Sequence, residues 1–263
     1  MSRAGLLAGR GAIVSGIGPG AGRSIALAFA REGADVVLAA RSVASLEAVA
    51  AEVRALGRRA LVLATDVSRP EDCRRLADTA HAELGRIDVL VNNAFRSAPY
   101  EAVEEASMDE WRKIFDVNLF GSVQLSQAVV PHMKARRAGS IVMVNSMSVR
   151  IVEPRFGGYA ASKGALMTAA QTMARELGAY GIRVNSVVPG YIWGPALARY
   201  FERLAAERGV TPEAVYAEVA SRTALNHIPD SDEVADAVVF LASDLARAVT
   251  GQALDVNGGH YFH

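Results

Sequence analysis

Short apolar, β-branched runs recur along the chain: Ala12-Ile13-Val14, Val36-Val37-Leu38, Leu61-Val62-Leu63, Val89-Leu90-Val91, Ile141 to Val144, Val184 to Val188 and Ala253 to Val256. Such nearly continuous runs fit parallel strands buried on both faces. Between them lie amphipathic stretches with helical spacing, among them Arg23 to Glu32, Ser42 to Leu56 and Pro70 to Leu84. Strand–helix alternation predicts an α/β fold with a parallel sheet and helices on both of its sides. No linker, low-complexity tract or repeat interrupts the pattern, so residues 1–263 read as one domain.

Composition narrows the function classes. Lys+Arg and Asp+Glu are 28 each, and 51% of the chain is hydrophobic. This balance excludes a disordered chain and gives no basic excess for nucleic acid. Met1 to Gly11 has no signal-peptide core, and the apolar runs are too short for a membrane span of about 20 residues. The single cysteine, Cys73, cannot form an internal disulfide. A soluble cytoplasmic protein is expected.

The unusual residues cluster at strand ends. In an open α/β sheet, ligands bind beyond the carboxyl ends of the strands. Ser15-Gly16, Arg41, Asp66, Asn92-Asn93, Asn145-Ser146 and Pro189-Gly190 follow the first six apolar runs in turn. The first turn, Ser15-Gly16-Ile17-Gly18-Pro19-Gly20-Ala21-Gly22, then opens a helix. Glycine lets backbone approach a pyrophosphate, and the helix amino end offers free N–H groups. At the end of the second run stands Ala39-Ala40-Arg41-Ser42, with no carboxylate to bind a ribose diol. Charge logic therefore favours NADP(H) over NAD(H), with Arg41 meeting the 2′-phosphate.

Tyr159 and Lys163 stand four apart on an expected helix running to about Tyr180 and share one of its faces. Only three of the 28 basic residues are lysines, so this one is unlikely company for a tyrosine by chance. Ser146, at the end of the fifth run, and Asn118, in Asp116-Val117-Asn118-Leu119-Phe120-Gly121, are the other candidates.

Over almost its whole length the chain resembles the compact, single-domain branch of the short-chain dehydrogenase/reductase family. The resemblance rests on the glycine turn, Asp66-Val67, Asn92-Asn93-Ala94, Asn118, Ser146, Tyr159/Lys163, Pro189-Gly190 and Val249-Thr250-Gly251-Gln252. It implies a Rossmann-type, doubly wound sheet of seven parallel strands, a nicotinamide cofactor, and alcohol/ketone chemistry. It implies a catalytic tetrad of Asn118, Ser146, Tyr159 and Lys163, with Asn118 holding a water that links Lys163 to solvent. For the cofactor it implies Ser15, Gly16, Pro19, Gly20, Ala21, Gly22, Arg41, Ser42, Asp66, Val67, Asn93, Ala94, Tyr159, Lys163, Pro189, Gly190 and Ile192. It also implies a homotetramer, pairing through helices around Asp109–Pro131 and Tyr159–Tyr180, with Tyr261-Phe262-His263 at another interface. A free tyrosine titrates near 10, so Lys163⁺ and a positive nicotinamide would have to lower it for acid–base work near pH 7.

Three departures from the family pattern matter. Ser15 stands where threonine is commoner, Phe95 where glycine is usual, and Gly194 where a threonine often binds the carboxamide, leaving that contact to the backbone of Ile192. Tyr191 to Asn226 corresponds to the family's substrate lid. It carries Trp193, Tyr200, Phe201, Leu204 and Tyr216. Phe95, Phe156 and Trp193, with Ser146 and Tyr159, are the expected substrate contacts. Arg150 and Arg155 are read as solvated. The expected substrate is a secondary alcohol or ketone of moderate size with an apolar body. The histidines show no metal-ligand spacing, and no catalytic metal is expected. The alternative function is a nucleotide-binding sensor without catalysis.

Overall fold

A computed structural model describes residues 5–262. The strands are β1 (Gly11–Ser15), β2 (Asp35–Ala40), β3 (Ala60–Ala64), β4 (Val89–Asn92), β5 (Gly139–Val144), β6 (Ile182–Pro189) and β7 (Ala253–Val256). The helices are α1 (Ala21–Arg31), α2 (Val43–Ala55), α3 (Pro70–Leu84), α4 (Met108–Phe115), α5 (Ser122–Arg136), α6 (Gly157–Leu177), α7 (Pro195–Arg208), α8 (Pro212–Ala220) and α9 (Ser231–Ala242). The seven strands form one parallel sheet in the order β3-β2-β1-β4-β5-β6-β7. The strand order reverses between β1 and β4, the point where such sheets open a crevice at their carboxyl edge.

Alternate strand residues feed two cores. Ala12, Val14, Val36 and Leu38 pack with α1, α2 and α9 on one face. Ile13, Val37, Leu90 and Ile141 pack with α3, α5 and α6 on the other. The sheet is therefore doubly wound, with its apolar runs covered on both sides. Each fully buried Val, Leu or Ile contributes about 1.5–3 kcal/mol, so the strands cannot slip register without losing many such terms at once.

Helix ends shift slightly from the sequence reading. The first helix begins at Ala21 rather than Arg23, because Gly20 already stands at its amino cap. The helix carrying Tyr159 ends at Leu177, and a 3₁₀ turn, Gly178–Tyr180, completes the run. Between α4 and α5 the backbone widens into a π-helical segment, Asp116–Gly121. Such segments re-aim side chains at functional sites. Here the segment buries Asn118 completely.

The stretch after β6 builds a third, smaller core. Phe201, Ala205, Val215, Val219, Ala220 and Ile228 are buried in it, with Tyr191, Trp193, Leu197, Leu204 and Tyr216 packed against them. It belongs to α7, α8 and their flanks. No helix among the described residues is long and apolar enough to cross a membrane.

Candidate active site

The carboxyl ends of β1 to β4 open onto a cleft of about 410 Å³. Gly16 leaves β1 with φ +76°, and a Cβ there would run into the backbone of Ala94. Ser15 ties the two central strands: its Oγ donates to the Val91 carbonyl (3.2 Å) and accepts from the Asn93 amide (3.3 Å). Asn93 Nδ2 in turn donates to the Gly16 carbonyl at 2.8 Å. A Cβ on Gly18 would meet nothing within 4 Å. Helix α1 has no side-chain cap and no acidic residue in its first turn. Its first N–H groups, beside exposed Pro19 and Gly20 and ahead of Ala21 and Gly22, are thus free for an anion.

Farther along the cleft, Arg41 is exposed and its side chain makes no hydrogen bond or ion pair among the described residues. Ser42 beside it accepts from the Ser45 amide and caps α2. Asp66 lies across from Arg41, but its Oδ1 is taken by the Ser68 amide (3.0 Å) and hydroxyl (2.7 Å). Val67 and Ala94 complete the wall. An uncapped helix end, open space above glycine and a free guanidinium fit the pyrophosphate and ribose of a dinucleotide.

At the other end of the crevice, α6 carries Tyr159 in its first turn and Lys163 one turn later. Lys163 is 2% exposed, and its Nζ donates to the Val144 carbonyl at 2.8 Å. Nζ also lies 5.7 Å from the centre of the Tyr159 ring. Burial lowers Lys163 from 10.5 to about 7. Burial also raises Tyr159, while hydrogen bonding by Ser146 works in the opposite direction. In the protein alone, desolvation therefore outweighs the stabilisation of phenolate expected from Lys163⁺. Ser146 leaves β5 in extended geometry, and its Oγ accepts from the Ser148 amide at 3.2 Å.

The Asn118 side chain makes three hydrogen bonds. Its Oδ1 accepts from the Arg96 amide (2.7 Å), and its Nδ2 donates to the Arg96 carbonyl (3.1 Å) and Ser162 Oγ (2.9 Å). Ser162 Oγ donates to the Tyr159 carbonyl at 2.7 Å. Asn118 thus braces the β4 loop against α6, with both amide hydrogens used and one lone pair of its oxygen left for a further donor. Its carbonyl accepts from Ser122 Oγ at 3.1 Å.

Rings enclose the phenol. Phe156 stacks on Tyr159 with centroids 4.7 Å apart, and Phe95 meets it edge-on at 6.5 Å. Trp193 turns toward the lid, packing against Phe201 (5.8 Å) and Tyr216 (4.7 Å). Pro189 ends β6, Gly190 abuts Asn257, and half-buried Ile192 precedes Gly194, whose surroundings are open.

One of the two arginines departs from the sequence reading. Arg150 is not solvated: its side chain is 17% exposed and its Nε lies 3.4 Å from Asp255 Oδ1. The loop folds it back against β7. Arg155 is exposed but tethered, donating to the Tyr100 carbonyl at 3.3 Å. Among the described residues, no three His, Cys, Asp or Glu side chains gather as a metal site. Tyr261 packs beside His260, Phe262 is exposed, and His263 lies outside the described residues.

A family model described as Enoyl-(Acyl carrier protein) reductase matches residues 15–261. The chain belongs to the short-chain dehydrogenase/reductase family. It is 33% identical to the 7alpha-hydroxysteroid dehydrogenase of Escherichia coli (strain K12) over 253 residues, covering 96% of this chain and 94% of that one. It is 34% identical to the cis-4-hydroxycyclohexanecarboxylate dehydrogenase of Sinomonas cyclohexanicum, covering 95% and 96% respectively. The crystal structure of an NAD⁺-bound xylitol dehydrogenase superposes with a TM-score of 0.89 at 29% identity, covering 96% and 99%. This short-chain dehydrogenase/reductase is accordingly an oxidoreductase of a family that uses nicotinamide cofactors.

Sequence reasoning passed over two residues of the site. Ser162 lay in plain view between Tyr159 and Lys163, yet its partner Asn118 is 44 residues away and nothing local points to it. Tyr100, which stacks on Phe156, sits in a loop without periodicity, where no pattern marks a contact.

Proposed function

We propose that the protein is an NADP(H)-preferring short-chain dehydrogenase/reductase that interconverts a secondary alcohol and a ketone, with Tyr159 as general acid/base. The observation carrying this reading is the convergence of Tyr159, Lys163, Ser146 and Asn118 at one end of the crevice whose other end fits a dinucleotide. The cofactor supplies or accepts the hydride. In reduction, Tyr159 Oη gives its proton to the substrate oxygen as negative charge develops there. Ser146 Oγ hydrogen-bonds the same oxygen and orients it. Lys163, fixed on the Val144 carbonyl beside the phenol ring, would stabilise the phenolate when protonated and would hold the nicotinamide ribose. The water relay to Lys163 would run from Asn118, whose side-chain oxygen keeps a lone pair beyond its bond from the Arg96 amide.

A tyrosine is protonated at neutral pH and burial raises Tyr159 further, so the cofactor-free site is set there as a proton donor. Alcohol oxidation gains as pH rises. Arg41 supports NADP(H), because it is unpaired at the end of β2 and no carboxylate stands beside it. The remaining cofactor residues are those along the cleft, with Pro189, Gly190 and the Ile192 backbone at the carboxamide. Phe95, Phe156 and Trp193 line the substrate's body. Two relatives named for ring alcohols support an alicyclic one. Exposed Met108 and Phe120, at the face bearing α4 and α5, support the homotetramer. A cytoplasmic location completes the reading.

The test is turnover of a panel of alicyclic and small polar ketones with NADPH, in wild type and Tyr159→Phe. The variant is expected to keep its fold and cofactor binding while kcat falls about 10³-fold. Binding of NADPH without turnover of any member by the wild type would favour the sensor reading. Persistent turnover in the variant would remove Tyr159 from its role.

A further inference from the structure

Tyr159 is the inner ring of a three-ring stack. Phe156 lies on it at 4.7 Å and 29°, and Tyr100 lies on the other face of Phe156 at 4.9 Å and 15°. The three rings come from two loops and a helix: Tyr100 from the segment after β4, Phe156 from the segment after β5, and Tyr159 from α6. The segments are stapled together. Glu101 N donates to the Arg155 carbonyl at 2.9 Å, and Arg155 Nη2 returns a bond to the Tyr100 carbonyl at 3.3 Å. Arg155 sits at φ +67°, a left-handed conformation uncommon for arginine. That local strain persists only where the surroundings impose it. Tyr100 is 65% exposed, so burial does not explain its place in the stack.

Resting on the reading of Tyr159 as proton donor, we propose that Phe156 is a positioning residue. Clamped between Tyr100 and Tyr159, it fixes the plane of the catalytic ring and keeps water off one of its faces, with Arg155 locking the outer clamp. The reacting oxygen of Tyr159 must meet a substrate held elsewhere, so a small rotation of its ring misaligns proton transfer. A water-free face also favours the neutral phenol. The groups facing Tyr159 are Ser146 at the end of β5, Lys163 on its own helix and, through Phe156, Tyr100. Tyr100 is itself influenced by Tyr200 of α7 and by Glu153. None of these except Phe156 and Tyr100 changes in the test.

The experiment titrates the Tyr159 phenol in the substrate-free, cofactor-free chain. Its signal is the phenolate ultraviolet absorbance of each variant minus that of the same variant carrying Tyr159→Phe. Phe156→Leu is expected to lower the titration midpoint by about one pH unit, since water then reaches the ring. It should also lower kcat about tenfold, while KM, which reports the place of Phe156 against the substrate's body, does not enter the decision. Phe156→Tyr should restore the wild-type midpoint. Tyr100→Leu, at an exposed position, should shift the midpoint the same way by less, and it carries the test if Phe156→Leu fails to fold. A Phe156→Leu chain that folds with an unchanged midpoint would overturn the proposal, as would an unchanged midpoint in Tyr100→Leu where Phe156→Leu does not fold. The titration needs no turnover, so it decides the stack even if the proposed reaction is wrong.

Discussion

The crevice joins two regions built on opposite principles. The cofactor half is backbone: a glycine turn, free helix N–H groups and strand ends whose positions follow from a sheet buried on both faces. The lid half is side chain: Phe201, Val215, Trp193 and Tyr216 form a core of their own. The lid rests on the body through a few backbone bonds, such as Trp193 N to the Pro229 carbonyl (2.8 Å) and Leu225 N to the Gly258 carbonyl (3.0 Å). The proposed cofactor site is thus welded into the sheet, whereas the proposed substrate surface is a separately packed unit. The lid can change its rings without disturbing the turn, since the two cores share no residue.

The largest effect that tests this division is Phe201→Ala. Phe201 is 1% exposed, so its truncation should destabilise the lid by about 3–5 kcal/mol. Amide exchange should rise in α7 and α8 while β1 to β4 stay protected and NADPH affinity holds. Equal loss of protection across the sheet would show that lid and body fold as one unit.

Arg41→Ala probes the other half with a smaller effect. Loss of charge-assisted bonds to a 2′-phosphate costs about 1.5–3 kcal/mol, which is roughly a ten- to hundredfold rise in Kd for NADPH. Titration calorimetry should show no change for NADH. A parallel loss for both cofactors would make Arg41 a general contact rather than a phosphate reader.

The smallest effect lies at the seam. Lys163 falls from 10.5 in the unfolded chain to about 7 in the folded one. Between those values the unfolded state binds a proton that the folded state does not, so stability rises with pH, by up to about 1.4 kcal/mol per pH unit. Cys73, raised by burial to about 11, pulls the other way only above its ordinary value of 9.0. Urea unfolding of the cofactor-free chain between about pH 7.5 and 8.5 isolates the lysine. Lys163→Met should flatten the slope there; an unaltered slope would mean that Lys163 keeps its proton in the folded chain.

The cofactor half was far more legible than the lid. Its strands announce themselves as unbroken apolar runs, and its ligand groups sit immediately after those runs, so position along the chain is nearly position in space. Lid aromatics carried no such link. Trp193 reads as a pocket residue because it follows Pro189-Gly190, but nothing local announces that its ring also packs against Phe201 and Tyr216. Arg150 read as solvated because arginines usually are, and its pairing with Asp255 spans 105 residues.

The sequence alone determined the layered fold and the crevice at the strand ends, because periodicity and local spacing are properties of neighbours along the chain; Asn118, Ser146, Tyr159 and Lys163 were singled out by the family resemblance. Tertiary structure decided what each of those groups touches. It turned the Asn118 side chain into a brace, and it sank Lys163 onto the Val144 carbonyl. It also set Tyr100 and Phe156 over the Tyr159 ring. Those outcomes depend on desolvation and ring contact between segments brought together only when the sheet closes, and no local pattern encodes them.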